Sequence, residues 1–353
     1  YATIYLIDMN LSFSSFRLSW WWYFLLSVVL LGSCRNGNST AEQGDSEAAS
    51  NVPPQIKNLT EQISKDSSNA TLYFARGAMY VQSNDATSAT KDFVKAIRLD
   101  SMQANYYLAA AEVYFNSGLA PQSVLILERG ERNLPTDLRL KTELAKSYYA
   151  VQKYAEAKQR LDAVIVADSQ NPTAYFWRAM FYKDQEKSVE AIQDLQKAVE
   201  IDPQYYQAMM MLAQMYARKG DTKAIEYFDK AAKLDSTSSE AMYAKSMFLQ
   251  ENGKLDQAIA NYQKLIEQDP QNKDAFYNLG YIYYNQNELK KAYQHFDLAT
   301  KMDPVFAKAY YMRGLCAEKM GKANEAKSDY NKAITFDENL QLAKDALQKL
   351  EGK

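Results

Sequence analysis

The stretch KDAFYNLGYIYYNQNELKKAYQHFDLATKMDPVF, Lys273 to Phe306, decides the fold. Phe276, Leu279, Gly280 and Tyr283 recur at helical spacing and would share one face of a first helix. Ala292, Phe296 and Ala299 do the same on a second helix, and Pro304 ends the unit, because proline cannot continue the preceding helix. The pattern repeats every 34 residues. Stepping along the chain places a small residue of the second helix at Ala89, Ser123, Ala157, Ala191, Ala258, Ala292 and Ala326, with Ala224 joining if its unit loses one residue between the helices. The same step along the first helix gives Tyr80, Tyr114, Tyr148, Tyr182, Tyr216, Leu249, Tyr283 and Ala317. A single period therefore governs most of the chain.

This pattern, large-x-x-Leu-Gly-x-x-Tyr followed by Ala-x-x-x-Phe and Pro, resembles the tetratricopeptide repeat. Eight units are expected at 70–103, 104–137, 138–171, 172–205, 206–238, 239–272, 273–306 and 307–340, together residues 70–340. The resemblance implies an all-α fold, an α-solenoid in the form of a right-handed superhelix built from helical hairpins. A leading helix is expected within 55–69 and a polar capping helix within 341–353. Each hairpin has an apolar face too small to fold alone, so neighbours must stack to bury it. Gly118, Gly220, Gly253 and Gly321 fall between the two helices of their units, where a residue with positive φ is needed. The second unit departs most from the pattern, with Ser123 and Gly130 at small positions, and the fifth is one residue short.

The N-terminus reads as an address. Residues Leu18 to Leu31 are apolar and uncharged, follow Arg17, and are too few for a bilayer span but sufficient for the core of a signal peptide. Met9 is the first methionine, which makes the eight residues before it a candidate start-site artefact. Leu31-Gly32-Ser33-Cys34 resembles the bacterial lipobox, implying a signal peptide over 1–33 and lipidation of Cys34, with several acyl chains giving stable anchoring. Residues 34–54 then form a flexible tether, with a reach of roughly 25 Å. Arg35-Asn36-Gly37-Asn38 lacks the acidic run that surface-exported lipoproteins often carry. The expected location is the cell envelope, on the outer membrane and facing the periplasm.

Counting residues excludes much chemistry. Lys+Arg 41 against Asp+Glu 43 gives a formal net charge of -2, without the basic excess of a nucleic-acid-binding chain. One histidine, His295, and Cys 2 leave no His-His metal site, zinc cluster or disulfide framework. No glycine-rich phosphate loop, Cys-x-x-Cys pair or Gly-x-Ser-x-Gly elbow is present. Carboxylates such as Glu190 and Asp194 alternate with lysines such as Lys197 and read as solvated helix faces. His295 is expected to be a partly exposed packing residue and Cys316 a buried free thiol. No catalytic residue, metal or cofactor is expected, and the chain reads as non-enzymatic.

The resemblance implies that the first helices line a concave groove through the second, fifth, ninth and twelfth positions of each unit. These positions supply Phe74, Phe115, Tyr149, Phe176, Met180, Tyr243, Met247, Tyr277, Tyr281, Tyr284 and Tyr311, aromatic and thioether side chains suited to holding an extended or helical peptide. Tyr243, Tyr277, Tyr281, Tyr284 and Tyr311 would form a tyrosine wall at the C-terminal end, unless the rings pack against one another instead. The clamp that some tetratricopeptide domains use for a C-terminal carboxylate is matched by Asn278 and Lys308 but not by Tyr243, Met247 and Met312. The expected function is a protein-protein interaction scaffold, held at a membrane by its N-terminal lipid and binding a protein or peptide in the groove. A regulatory or adaptor subunit of an envelope enzyme, or of a secretion or outer-membrane assembly machine, is the alternative. Self-association is compatible with the same surface.

Overall fold

The computed structural model describes residues 53–352, and the expected signal peptide, Cys34 and all but the last two residues of the expected tether lie outside them. Every regular element among the described residues is an α-helix. A leading helix, α1 (Pro54–Lys65), precedes eight hairpins: α2 (Ala70–Gln82) with α3 (Ala86–Leu99), α4 (Ala104–Asn116) with α5 (Ala120–Asn133), α6 (Leu138–Ala150) with α7 (Tyr154–Ala167), and α8 (Pro172–Asp184) with α9 (Ser188–Ile201). The array continues through α10 (Tyr206–Arg218) with α11 (Lys223–Leu234), α12 (Glu240–Glu251) with α13 (Leu255–Gln268), α14 (Lys273–Asn285) with α15 (Leu289–Met302), and α16 (Ala307–Lys319) with α17 (Ala323–Phe336). α18 (Gln341–Glu351) closes it. Each helix packs on the next in sequence, the connectivity of an α-solenoid.

The small residues work as their spacing implies. Ala89, Ala157, Ala191, Ala224, Ala258, Ala292 and Ala326 are fully buried. The exception, Ser123, is buried as well, and its hydroxyl bonds that of Ser147 on the next unit at 2.9 Å, so the polar group is satisfied. Gly130 is small for a local reason: a Cβ there would lie 3.0 Å from the Tyr107 ring and 3.2 Å from Leu140. The missing residue of the fifth unit falls at the start of α11, which is two residues shorter than α9 or α13 while Ala224 keeps its buried place.

All eight hairpins turn by one device. The first helix ends in a residue with positive φ, and the amide two residues past the cap donates back to the carbonyl at the eleventh position, as Asp85 does to Tyr80 at 2.8 Å and Glu288 to Tyr283 at 2.9 Å. Gly118, Gly220, Gly253 and Gly321 hold the turn in four units, and Asn84, Gln152, Glu186 and Asn287 in the others. A left-handed conformation costs a residue bearing a Cβ roughly 1–2 kcal/mol, partly offset by the greater freedom that glycine loses on folding. Glu186→Gly should therefore stabilise the array by about 0.5 kcal/mol, and Gly118→Ala, whose Cβ would meet no atom, should destabilise it by about 1 kcal/mol through φ alone. Urea midpoints of the two variants moving in the same direction would contradict this.

The unit ends use aspartate more than proline. Asp100, Asp168, Asp202, Asp235, Asp269, Asp303 and Asp337 each accept a hydrogen bond from the amide two residues ahead, fixing the turn into the next unit. α1 fills the place of a second helix. Its Gln55 and Gln62 fall, by the 34-residue step, where Ala89 and Ala96 are buried in the first unit, and both glutamines are exposed. That polar face is what a helix at the end of a stack needs.

Candidate functional site

First helices of neighbouring units touch directly, α4 with α6, α6 with α8 and α14 with α16, whereas consecutive second helices make no contact of similar extent. A stack is curved toward the side where its elements approach more closely, so the first helices line the inner face. Side chains lace this face across unit boundaries. Arg139 Nη1 donates to Asn105 Oδ1 at 3.0 Å, the Tyr206 hydroxyl to Glu240 Oε2 at 3.2 Å, and Asn278 Nδ2 to the Tyr243 hydroxyl at 3.1 Å. The Tyr149 hydroxyl donates to Asp184, and burial, reinforced by that carboxylate, holds the phenol above its ordinary pKa.

In the N-terminal half, the expected groove residues mostly pack against other side chains of the array. Phe74 lies between Phe93 and Tyr106, with ring centroids 5.5 and 4.9 Å away. Lys146 Nζ sits 4.9 Å over the Phe115 ring, a cation–π contact that also covers an apolar face. Tyr149 and Phe176 both pack edge-on against Trp177, at 5.5 Å, and Phe176 also meets Tyr205 at 5.1 Å. Met180 is half-buried.

The C-terminal tyrosines divide in two. The Tyr277 ring is held between Phe296 at 5.5 Å and Phe306 at 5.2 Å, and burial beside Tyr281 and Tyr311 pushes its hydroxyl up to about 12. Tyr243 stands edge-on to the buried Tyr262 at 6.3 Å, and Tyr311 lies 6.0 Å from the buried Tyr330. These three anchor the wall and show only part of each ring. Tyr281 is 40% exposed, and Tyr284 is half-buried with Lys319 Nζ 4.4 Å over its face. Met247 is corrected: it is 7% exposed and belongs to the core, where an unbranched thioether adapts to an irregular seam between helices. Asn278, a match to the clamp pattern, is buried and already bonded to Tyr243.

Outside the groove, His295 is partly exposed and stacked on Tyr283 at 5.3 Å, and burial lowers its pKa. Cys316 is a buried free thiol pushed up to about 12 by burial. Asp194 corrects the reading of carboxylates as solvated faces. It is buried and takes a bidentate pair from Arg178, at 2.7 and 2.8 Å, while Arg178 also reaches Asp162 of the preceding unit at 2.8 Å. Arg313 joins Asp329 and Asp297 in the same way, and Arg76 joins Asp92 and Thr60 of α1. Lys245 bonds Asp229 of the preceding unit at 2.6 Å. The signal for these ties was present: arginine at the seventh position of a unit always has aspartate sixteen residues later. A separate cleft of about 570 Å³ opens beside α9 and α11, lined by Val199, Pro203, Met209 and Tyr227 and rimmed by Lys230 and Lys233.

A stack of helical hairpins with an aromatic inner face defines a solenoid of the repeat class. Models of the tetratricopeptide repeat match residues 142–206, 182–239, 227–260, 273–304 and 307–340, and one of the TPR repeat matches 249–287, together more than half of the chain. The chain belongs to the tetratricopeptide repeat family. It is 23% identical over 215 residues to Superkiller complex protein 3 of Homo sapiens, spanning 57% of this chain and 13% of that protein's length. The C-terminal part of a TPR repeat-containing protein from Cytophaga hutchinsonii superposes with a TM-score of 0.59 at 15% identity, over 69% of this chain and 99% of that one, a likeness of fold. MamA protein is similar at 28% identity and a TM-score of 0.42, over 47% of this chain and 92% of that one.

Proposed function

We propose that this chain is a lipid-anchored scaffold of the cell envelope that docks a partner protein through an extended or helical segment held on its inner face. The observation that carries the reading is the C-terminal wall, where Tyr243, Tyr277 and Tyr311 are fixed from behind by Tyr262, Phe296 and Tyr330 while Tyr281 remains 40% exposed. Rigid aromatic side chains backed by core offer contact area at little cost in conformational entropy. The anchor rests on the Leu31-Gly32-Ser33-Cys34 sequence and the polar residues that follow. A periplasm-facing outer-membrane location follows from the same reading.

One experiment tests both parts: crosslinked pull-down from native envelopes with the wild-type chain, Tyr281→Ala and Cys34→Ala. Tyr281→Ala should stay in the membrane fraction, keep its helical circular dichroism, and lose at least one partner that the wild type captures. Cys34→Ala should leave the membrane fraction. Recovery of the same proteins with Tyr281→Ala would move recognition away from the wall, and a membrane-bound Cys34→Ala chain would remove the lipid anchor.

A further inference from the structure

The tyrosine wall contains one charged group whose surroundings do not suit it. Asp274, in the first turn of α14, keeps an accessible side chain, yet burial within the concave face raises its pKa. Both facts hold together because a side chain on a concave wall can be reached by solvent while protein atoms displace much of its hydration. Among the described carboxylates with a resolved shift, it is the one that moves upward. No hydrogen bond or ion pair within 4 Å reaches it among the described residues. Lys273 is engaged with Asp303 at 2.5 Å, and desolvation together with the nearby Asp303 charge outweighs the fields of Lys273 and Lys308.

Asp274 lies one helical turn before Tyr277 and Asn278 on α14, and Asn278 bonds the Tyr243 hydroxyl at 3.1 Å, so the carboxylate stands beside the wall rather than beyond it. At the second, fifth, ninth and twelfth positions of the last three units, the acids Glu240, Asp274 and Glu318 outnumber the one base, Lys308. Aromatic faces at these positions accept cations wherever the chain supplies one, as Tyr284 does Lys319 and Phe115 does Lys146. The Tyr281 ring carries no such partner among the described residues.

We propose that the C-terminal third of the inner face recognises a basic side chain of the docked segment, arginine or lysine, with Asp274 as its counter-charge and the tyrosines as flanking walls. This rests on the groove reading and specifies its ligand. A cation brought to Asp274 replaces the hydration that the carboxylate lost, and charge-assisted hydrogen bonds with flanking rings favour a guanidinium or ammonium over a neutral side chain.

A display library of random 12-residue peptides, panned against the immobilised full chain, tests the proposal. Peptides selected by the wild type should be at least threefold richer in arginine and lysine than those selected by Asp274→Asn. Replacing the basic residue of a selected peptide by glutamine should weaken binding about tenfold to the wild type and little to Asp274→Asn. Selected peptides without basic enrichment, or with enrichment that survives in Asp274→Asn, would overturn the counter-charge and leave the groove standing. If the wild type selects no peptide at all, the groove reading falls and this inference with it.

Discussion

Arg178→Ala is expected to destabilise the array by about 3 kcal/mol, the range found when one partner of a buried ion pair is removed. Arg178 joins two units, bonding Asp194 on α9 through two nitrogens and Asp162 on α7 through a third. Alanine leaves the Asp194 carboxylate buried without its counter-charge. Asp162 suffers less, because its side chain is 38% exposed and Lys158 stays 2.5 Å away. Stability in a repeat array is a sum of unit and interface contributions, so the loss should be local as well as global. Amide exchange should therefore accelerate in α7 to α9 more than in α14 to α17, alongside a fall in the urea midpoint.

The double variant Arg178→Leu/Asp194→Ile separates a lost interaction from an abandoned charge. Leucine already fills the seventh position at Leu144, Leu212 and Leu279, and Ile126 occupies the position of Asp194 in the second unit. A buried pair exchanged for apolar side chains of similar volume is often neutral in stability, so the double variant should lie within about 1 kcal/mol of the wild type. A double variant as unstable as Arg178→Ala would show that the ion pair itself holds α8 against α9. What the pair supplies beyond apolar packing is register, since a guanidinium bonded to two helices fits in one alignment.

The period made most of this architecture legible. Alanines at a 34-residue step locate the second helices because only a small side chain lets two helices approach closely, and the residues they mark are buried. The turn glycines were legible for a similar reason, but Gln152 and Glu186 in the same conformation were not, because nothing in either side chain announces a positive φ. The Arg–Asp ties were written in the sequence at a spacing of sixteen, yet within one helix their carboxylates look like an ordinary solvated face. Pairing between helices is invisible to a rule built on neighbours along one helix. The inner-face positions of the first helices were legible by the period, but not which of their side chains pack against the array itself. Whether a tyrosine on the first helix faces a partner or leans on the next unit depends on the residue behind it, such as Phe306 for Tyr277.

The residue behind also decides where glycine is required, and Gly314→Val is expected to destabilise the array by about 2–3 kcal/mol through overpacking. Gly314 lies inside α16, where glycine weakens the helix by about 1 kcal/mol relative to alanine, so its presence needs a steric cause. A Cβ at this point would stand 2.7 Å from Cε1 and 2.8 Å from Cδ1 of Tyr330, and 3.3 Å from the Ala326 carbonyl oxygen. The ring is poorly placed to yield, since Tyr330 is fully buried and its hydroxyl donates to Glu318 Oε2 at 2.8 Å. Gly77 meets Phe93 and Gly280 meets Phe296 in the same way, whereas Ala111, Ala145 and Ala179 stand in units that carry Leu127, Leu161 and Leu195 in place of the ring. In three units a ring on the second helix is thus met by glycine on the first, whereas Ala213 and Ser246 stand in units that carry Phe228 and Tyr262, so the need for glycine is local to the placement of each ring. Tyr330→Leu, introduced with Gly314→Val, should recover more than half of the lost stability by giving the valine methyls room, although alone it would leave a cavity. Thermal denaturation of the two single variants and the double closes the cycle, and additive losses would show that the contact between Gly314 and Tyr330 does not set the spacing of α16 and α17.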